Sequence, residues 1–318
     1  NSLYGVLGLP VFRFYDVDNA EATTLTGQEL IKFSKKLVNL YYNKELGTTD
    51  ENYVIYIDTD SIFASATPLV KARHKGIDTS AEATMTQHII NIADEIQGFL
   101  NQSYDLFAKK FCNLDKHYYE IKQEVIAKTA LFVTKKRYGM KIINDSGRKV
   151  NKIQVKGLDT VRSSFAVAMK NLLSKILDDI LVAVPKEKID ERIFKFKKAM
   201  KAMDYDEISS PTGVKRIDKF KCSLDRETGL PVNVPGGKII STYYEKATPV
   251  HVKASMAYND MIDYYKIKRY PKISNGEKIK WVYLKQNPLN LPVLAYKGYD
   301  DPVKILEYIK IYIDVNKM

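Results

Sequence analysis

Two aspartates one residue apart, Asp58 and Asp60, lie in the string Tyr56-Ile57-Asp58-Thr59-Asp60-Ser61-Ile62-Phe63. Carboxylates this close repel each other unless a cation sits beside them. On a rigid turn they offer hard oxygen ligands of the kind Mg²⁺ takes when it also binds substrate phosphates. The same spacing equally serves a solvated Asx-turn whose side chains only cap backbone groups. A second string, Thr134-Lys135-Lys136-Arg137-Tyr138, gathers cations next to a ring and reads either as a phosphate grip or as a generic basic turn. Thiol and structural-zinc chemistry drop out. Cys112 and Cys222 cannot build a disulfide framework, and His74, His88, His117 and His251 share no ligand spacing with them.

The elements that must carry these groups follow from periodicity. Tyr53 to Ile57 and Ile62-Phe63 predict two β arms around the Asp58–Ser61 turn, a hairpin over residues 52–63. Before it, Leu25, Leu30, Phe33, Leu37, Leu40 and Tyr41 predict a helix within residues 16–46, with Asp18 and Glu21 as a capping box and Gly47 as its stop. After it, Ile89, Ile92, Ile96, Leu100, Tyr104 and Phe107 predict a second helix. Strands are expected at 118–127 and 130–133, and a hairpin over 138–155 around Asp145-Ser146-Gly147. Beyond Gly157, Ser163 and Ser164 are expected to cap a long helix ending before Pro185, and a second helix carries Ile189, Ile193 and Phe196. Residues 209–294 read as turns between short strand-like pieces, before a last helix opened by Asp301-Pro302. The fold class is α+β, with a domain boundary between Gly157 and Ser163.

Composition narrows the setting. The 318 residues are 45% apolar and 28% charged, enough for a large core, and no apolar run approaches the roughly 20 residues of a membrane-spanning helix. A soluble chain in a reducing compartment fits. Charge is uneven: residues 1–115 hold 10 basic and 15 acidic side chains, residues 116–318 hold 40 and 23. A basic second part with interleaved tyrosines, as in Tyr264-Tyr265-Lys266-Ile267-Lys268-Arg269-Tyr270, suits a polyanion tracked along its phosphates; a solvated cationic face is the plainer alternative. The chain opens at Asn1 without an initiator Met and closes on an uncapped apolar stretch, so it reads as part of something larger.

With the flanking strings included, a resemblance emerges. Asn1-Ser2-Leu3-Tyr4-Gly5 and Tyr56-Ile57-Asp58-Thr59-Asp60-Ser61 resemble the B and C motifs of family B DNA polymerases, and Thr134 to Tyr138 resembles that family's KKRY element. Lys156-Gly157-Leu158-Asp159 resembles the sequence that leads into the thumb. The four strings stand in family order, and the opening through Tyr15 and Asp16 is similar to the tailed-phage branch. Beyond Ser164 the likeness rests on helical pattern and charge.

The resemblance implies a palm with an antiparallel sheet and packed helices (residues 1–159, including the end of the fingers), followed by a mainly helical thumb (160–318). It implies Asp60 as ligand of two Mg²⁺ ions, Asp58 as its partner near the primer 3′ end, and Thr59 beside the incoming nucleotide. Glu124 would face the metal site from a neighbouring strand, unless it is an ordinary exposed strand carboxylate. Tyr4 would test the nascent base pair, with Gly5 allowing close approach and Asn1 opening the motif; alternatively Tyr4 is a core ring. Lys135, Lys136, Arg137 and Tyr138 would grip the primer, and Arg162 and Ser163 the duplex, unless Ser163 is simply a cap. Lys266, Lys268 and Arg269 would hold product duplex collectively. Implied partners are primer-template DNA, deoxynucleoside triphosphates, an amino-terminal chain or segment carrying motif A, and a sliding clamp, although no clamp-binding tail is visible. A natural split, intein processing or a trimmed piece would each explain the start at Asn1. Host cytoplasm is the implied location for a phage-encoded chain. A non-catalytic DNA-binding or scaffolding chain of polymerase shape is the alternative.

Overall fold

Helix α1 (Ser2–Leu7) passes through a run of turns into α2 (Val17–Leu46) in the computed structural model, which describes residues 2–76, 78, 81–220 and 248–318. The cap of α2 is Asp16, extended at φ −152, whose carboxylate accepts from the Asn19 N–H at 3.0 Å; the expected capping box of Asp18 and Glu21 is not used. Both residues lie inside the helix, Asp18 in its first turn and Glu21 beyond it, whereas only a residue with extended backbone just outside the helix can turn its carboxylate back onto the free N–H groups. Gly47 ends the helix in the left-handed region at φ 66, as expected.

The chain then forms β1 (Val54–Asp58), β2 (Ser61–Ala64), α3 (Thr67–Arg73) and α4 (Glu82–Phe111). Strands β3 (Val125–Thr134), β4 (Arg137–Asp145) and β5 (Arg148–Lys156) follow as one sheet in the order β3-β4-β5. The hairpin around Asp145 to Gly147 forms where expected, but the strand expected from residue 118 does not: regular structure begins at Val125 and runs unbroken to Thr134. The alternating segment before Val125 is tied instead by side chains of α4, with Asn101 bonding both the N–H and the C=O of Ile121, and Gln97 accepting from the Gln123 N–H. Side chains have taken the backbone partners that a strand would need.

Two compact units result, residues 1–136 with 140–154, and residues 137–139 with 155–318. In the first, α2, α3, α4 and the β1–β2 hairpin enclose Val38, Tyr42, Val54, Leu69, Val70, Ile92, Leu100 and Tyr104. Polar anchors fix the hairpin to α2. Asn39 Oδ1 accepts from the N–H groups of Tyr53 and Val54 at 2.9 and 3.1 Å, and Asn43 bonds both the N–H and the C=O of Glu51. Arg73 at the end of α3 bridges Glu45 of α2 and Glu95 of α4 at 2.8 and 2.9 Å and donates to the Tyr41 hydroxyl.

The second unit opens with a 3₁₀ turn (Asp159–Val161), then α5 (Val167–Leu181) and α6 (Lys186–Ala199), the expected helical hairpin. The cap position of α5 is Ala166, without a side-chain hydrogen bond, so Ser163 and Ser164 stand before the helix and do not cap it. Short helices α7 (Tyr205–Ile208) and α8 (Ile217–Phe220) flank β6 (Ser210–Gly213). Helix α9 (Val250–Tyr264), strands β7 (Lys278–Tyr283) and β8 (Val293–Tyr296), and α10 (Val303–Tyr312) complete the unit. Sheet order is β6-β7-β8 with antiparallel pairing. Helix α9 corrects the turn-rich reading of 209–294. It is buried around most of its circumference, from Val252 and Ala254 through Tyr258, Met261 and Ile262, so its apolar residues show no one-sided stripe. It packs with Val282, Leu291, Leu294, Tyr296, Ile305 and Ile309 in the largest core cluster.

Two substitutions test these anchors. Asn39→Ala strands the Tyr53 and Val54 N–H groups and is expected to lower unfolding free energy by about 2 kcal/mol in a urea titration; a change below about 0.5 kcal/mol would mean that water replaces the amide. Glu95 is held below the ordinary glutamate value of 4.5, first by the Tyr41 hydroxyl and then by Arg73. A lowered folded-state value stabilises above the unfolded-state pKa and is lost as pH falls through the folded one. Glu95→Gln is therefore expected to flatten the acid limb of stability below about pH 4.5, by less than about 1 kcal/mol because the carboxylate is half exposed.

Candidate active site

The carboxylate pair sits at the apex of the β1–β2 hairpin. Asp58 pairs with Ser61, Ile57 with Ile62 and Tyr56 with Phe63, leaving Thr59 and Asp60 as the turn. The turn is tight: Asp60 N–H donates back to Asp58 C=O at 2.6 Å, and Thr59 between them takes φ 55. A β-branched residue in the left-handed region carries backbone strain, and such strain persists where the surroundings hold it in place. The two carboxylates differ in environment. Asp60 is exposed, whereas the Asp58 side chain is only 11% exposed, accepts from Thr59 Oγ1 at 3.2 Å, and stands 3.9 Å from Lys136 Nζ.

That lysine belongs to a second two-residue turn, Lys135-Lys136 between β3 and β4, where Lys136 itself takes φ 61. The Lys136 N–H donates to the Tyr56 hydroxyl at 2.7 Å, which fastens this turn to β1. Three rings reinforce the joint, with Tyr56–Phe132 at 5.3 Å, Phe63–Phe132 at 5.6 Å and Tyr56–Phe63 at 6.0 Å between centroids. Asp58, Thr59, Asp60, Lys135 and Lys136 are thus brought to one corner of the first unit. The anchoring role of Tyr56 was not anticipated from sequence. Strand alternation carried the signal, because a residue two before Asp58 shares its face.

Glu124 is not brought there. It stands exposed just ahead of β3, where its C=O accepts from the Ser146 N–H in the turn at the opposite end of that sheet from Lys135. Ten residues of β3 separate the two ends, about 33 Å of extended strand. Among the described residues no three His, Cys, Asp or Glu side chains converge where a metal ion could sit, and at this corner Asp58 and Asp60 are the carboxylates present. Two carboxylates suffice for a Mg²⁺ ion that takes its remaining ligands from water, substrate phosphates or other protein groups.

The remaining candidates fall elsewhere. Asn1 lies outside the described residues. Tyr4 is 45% exposed on α1, not a core ring, and a Cβ on Gly5 would meet nothing within 4 Å, so the fold itself does not demand that glycine. Tyr138 is 1% exposed, with Lys156 Nζ 5.9 Å from its ring centre, so its ring is not free to lie against a sugar. Arg137 and Arg162 both pair with Asp159. Ser163 is exposed. Lys266, at φ 52, with Lys268 and Arg269 forms an exposed basic segment after α9, and Arg269 lies 5.5 Å from the Tyr270 ring centre.

The model of DNA polymerase family B matches residues 1–317. The chain belongs to that family. Among its relatives, the DNA-directed DNA polymerase of Escherichia phage RB69 is 32% identical over 197 residues, 57% of this chain and 21% of that protein. The DNA-directed DNA polymerase of Enterobacteria phage T4 is 25% identical over 329 aligned positions, 99% of this chain and 34% of that protein. The DNA polymerase alpha catalytic subunit of Xenopus laevis is 28% identical over 197 residues, 61% of this chain and 11% of that protein. The family B chain therefore spans at most about a third of the length of these relatives.

The joint between the two turns has a direct test. Phe132→Ala removes the ring shared by Tyr56 and Phe63 and is expected to destabilise by about 2 kcal/mol, less than a fully buried ring because Phe132 is only partly buried. Proteolysis rates of the Lys135-Lys136 turn should rise in step; unchanged stability and cleavage would show that the rings do not hold the turns together.

Proposed function

We propose that this chain is the palm-and-thumb portion of a template-directed DNA polymerase that extends a primer 3′-hydroxyl. The palm reading takes residues 1–159, with the end of the fingers at its start, and the thumb reading takes 160–318. The single observation that carries it is the strained Asp58-Thr59-Asp60 turn, with an exposed carboxylate at its tip and the Lys135-Lys136 turn hydrogen-bonded beside it, in a chain matched by family B along its length.

In this reading each residue has a physical task. Asp60, exposed on the turn, and Asp58, behind it, hold Mg²⁺, which supplies charge neutralisation for phosphoryl transfer when bound. Thr59 holds the two carboxylates apart on a backbone that does not relax, so little reorganisation is left for the reacting state. Lys135 stays exposed and available to primer phosphate, while Lys136 shares its charge with Asp58 and its backbone with Tyr56. Exposed Tyr4 remains free to meet a nascent base pair. Lys266, Lys268 and Arg269 are exposed and, among the described residues, in no ion pair, as a surface for duplex phosphates requires. Further carboxylate ligands come from a polypeptide segment carrying motif A. Primer-template DNA, deoxynucleoside triphosphates and that segment are the proposed partners, with a sliding clamp as a further one and the host cytoplasm as the setting.

Primer extension with Mg²⁺ and all four deoxynucleotides tests the reading, using the chain alone and together with a polypeptide supplying motif A. Extension is expected only in the combination, and Asp60→Asn is expected to abolish it while changing DNA affinity less than about twofold. Collapse of DNA binding in Asp60→Asn would make the residue a holder of the fold. DNA binding without extension in any combination would favour a non-catalytic scaffold. Duplex affinity should also fall linearly on a log–log plot against salt, with a slope of about −0.9 per phosphate neutralised.

A further inference from the structure

Asp159 has no task in the reading above, yet it holds two guanidinium groups at once. Gly157 turns the chain at φ 65, and residues Asp159–Val161 form a 3₁₀ turn closed by the Arg162 N–H on the Asp159 C=O at 3.2 Å. In such a turn residues three apart eclipse. Arg162 accordingly falls over Asp159, with its Nη1 3.1 Å from Oδ1, while Oδ2 takes Nη2 of Arg137 at 3.1 Å. Two cations that would otherwise repel are held one carboxylate's width apart.

The cluster is not closed. Arg137 and Arg162 remain 40% and 57% exposed, and each guanidinium has five N–H donors of which the carboxylate engages one or two. Arg137 Nε is buried and, among the described residues, donates to nothing. The trio keeps a net positive charge, and planar forks fixed in place are suited to phosphate oxygens.

We propose that Asp159 is a positioning residue that presets Arg137 and Arg162 as a paired clamp for adjacent backbone phosphates of bound DNA. This rests on the reading of the chain as a DNA-binding polymerase portion. A bystander carboxylate would behave in the opposite way, because removing a negative charge beside cations strengthens polyanion binding. The sign of the effect therefore separates the two roles.

The experiment is a fluorescence anisotropy titration of labelled primer-template with the full chain at several salt concentrations. Asp159→Asn is expected to weaken binding about fivefold and to make the log–log salt slope shallower by about one phosphate contact; Asp159→Glu is expected to retain most of both. In an Arg137→Ala, Arg162→Ala background, Asp159→Asn is expected to weaken nothing further. Arg162→Lys keeps the charge but not the fork and is expected to weaken binding without altering thermal unfolding, which serves if Asp159→Asn folds poorly. Equal or tighter binding by Asp159→Asn with an unchanged slope, or wild-type affinity in Arg162→Lys, overturns the proposal. If the unsubstituted chain shows no salt-dependent DNA binding, the DNA-binding reading itself fails and the clamp falls with it.

Discussion

The chemistry available to the first unit depends on one hydrogen bond, from the Lys136 backbone to the Tyr56 hydroxyl. Two hairpin tips with a strained residue each, Thr59 and Lys136, have little stability of their own, since a two-residue turn ties down only its own strands. The phenol joins them across a distance in sequence that no local interaction spans. Around it the Phe63 and Phe132 rings pack against the Tyr56 ring, which fixes the phenol although the hydrogen bond itself is exposed. A carboxylate pair and a lysine pair thereby acquire a fixed relation without a metal ion or ligand to organise them.

The second unit is built on a different principle. Its core is apolar and large, with α9 packed against β7, β8 and α10, and part of its polar interior is met by amides such as Asn259, which bonds both the N–H and the C=O of Ile273. Among the described residues of this unit Lys297 is a buried cation, with a side chain 2% exposed and paired with Glu277 at 2.8 Å. Burial pushes the Glu277 carboxyl up, but the Lys297 and Ser274 hydrogen bonds outweigh it and leave it below the ordinary value. A buried charge is tolerated there because it is matched, whereas the exposed cations at 266–269 make no ion pair among the described residues.

Much of this was legible in residue order. The hairpin bearing Asp58 and Asp60, the helix ending at Gly47, the paired helices around Pro185 and the start of α10 follow from alternation, periodicity and turn chemistry. The errors share a cause. Residues 118–124 alternate like a strand but find their partners in α4 side chains, and α9 lacks a polar face because nearly everything around it is core. Ser163 and Ser164 look like caps, yet the cap position is Ala166 and the helix begins at Val167. In the site, the aspartates and lysines were readable as a local pattern, whereas the burial of Tyr138 and the distance of Glu124 depend on which end of a long strand meets which turn. Tertiary pairing, not residue type, decided each of these.

The unequal surroundings of Asp58 and Asp60 bear on how tolerance to mutation would distribute along the hairpin. Asp58 is mostly covered and engaged by Thr59 and Lys136, so replacing it disturbs packing and charge balance together. Asp60 is open to solvent, and among the described residues its side chain makes no hydrogen bond or ion pair. A library selected only for folded protein would therefore deplete substitutions at the first aspartate and pass freely over the second, although both are proposed to hold the metal ion.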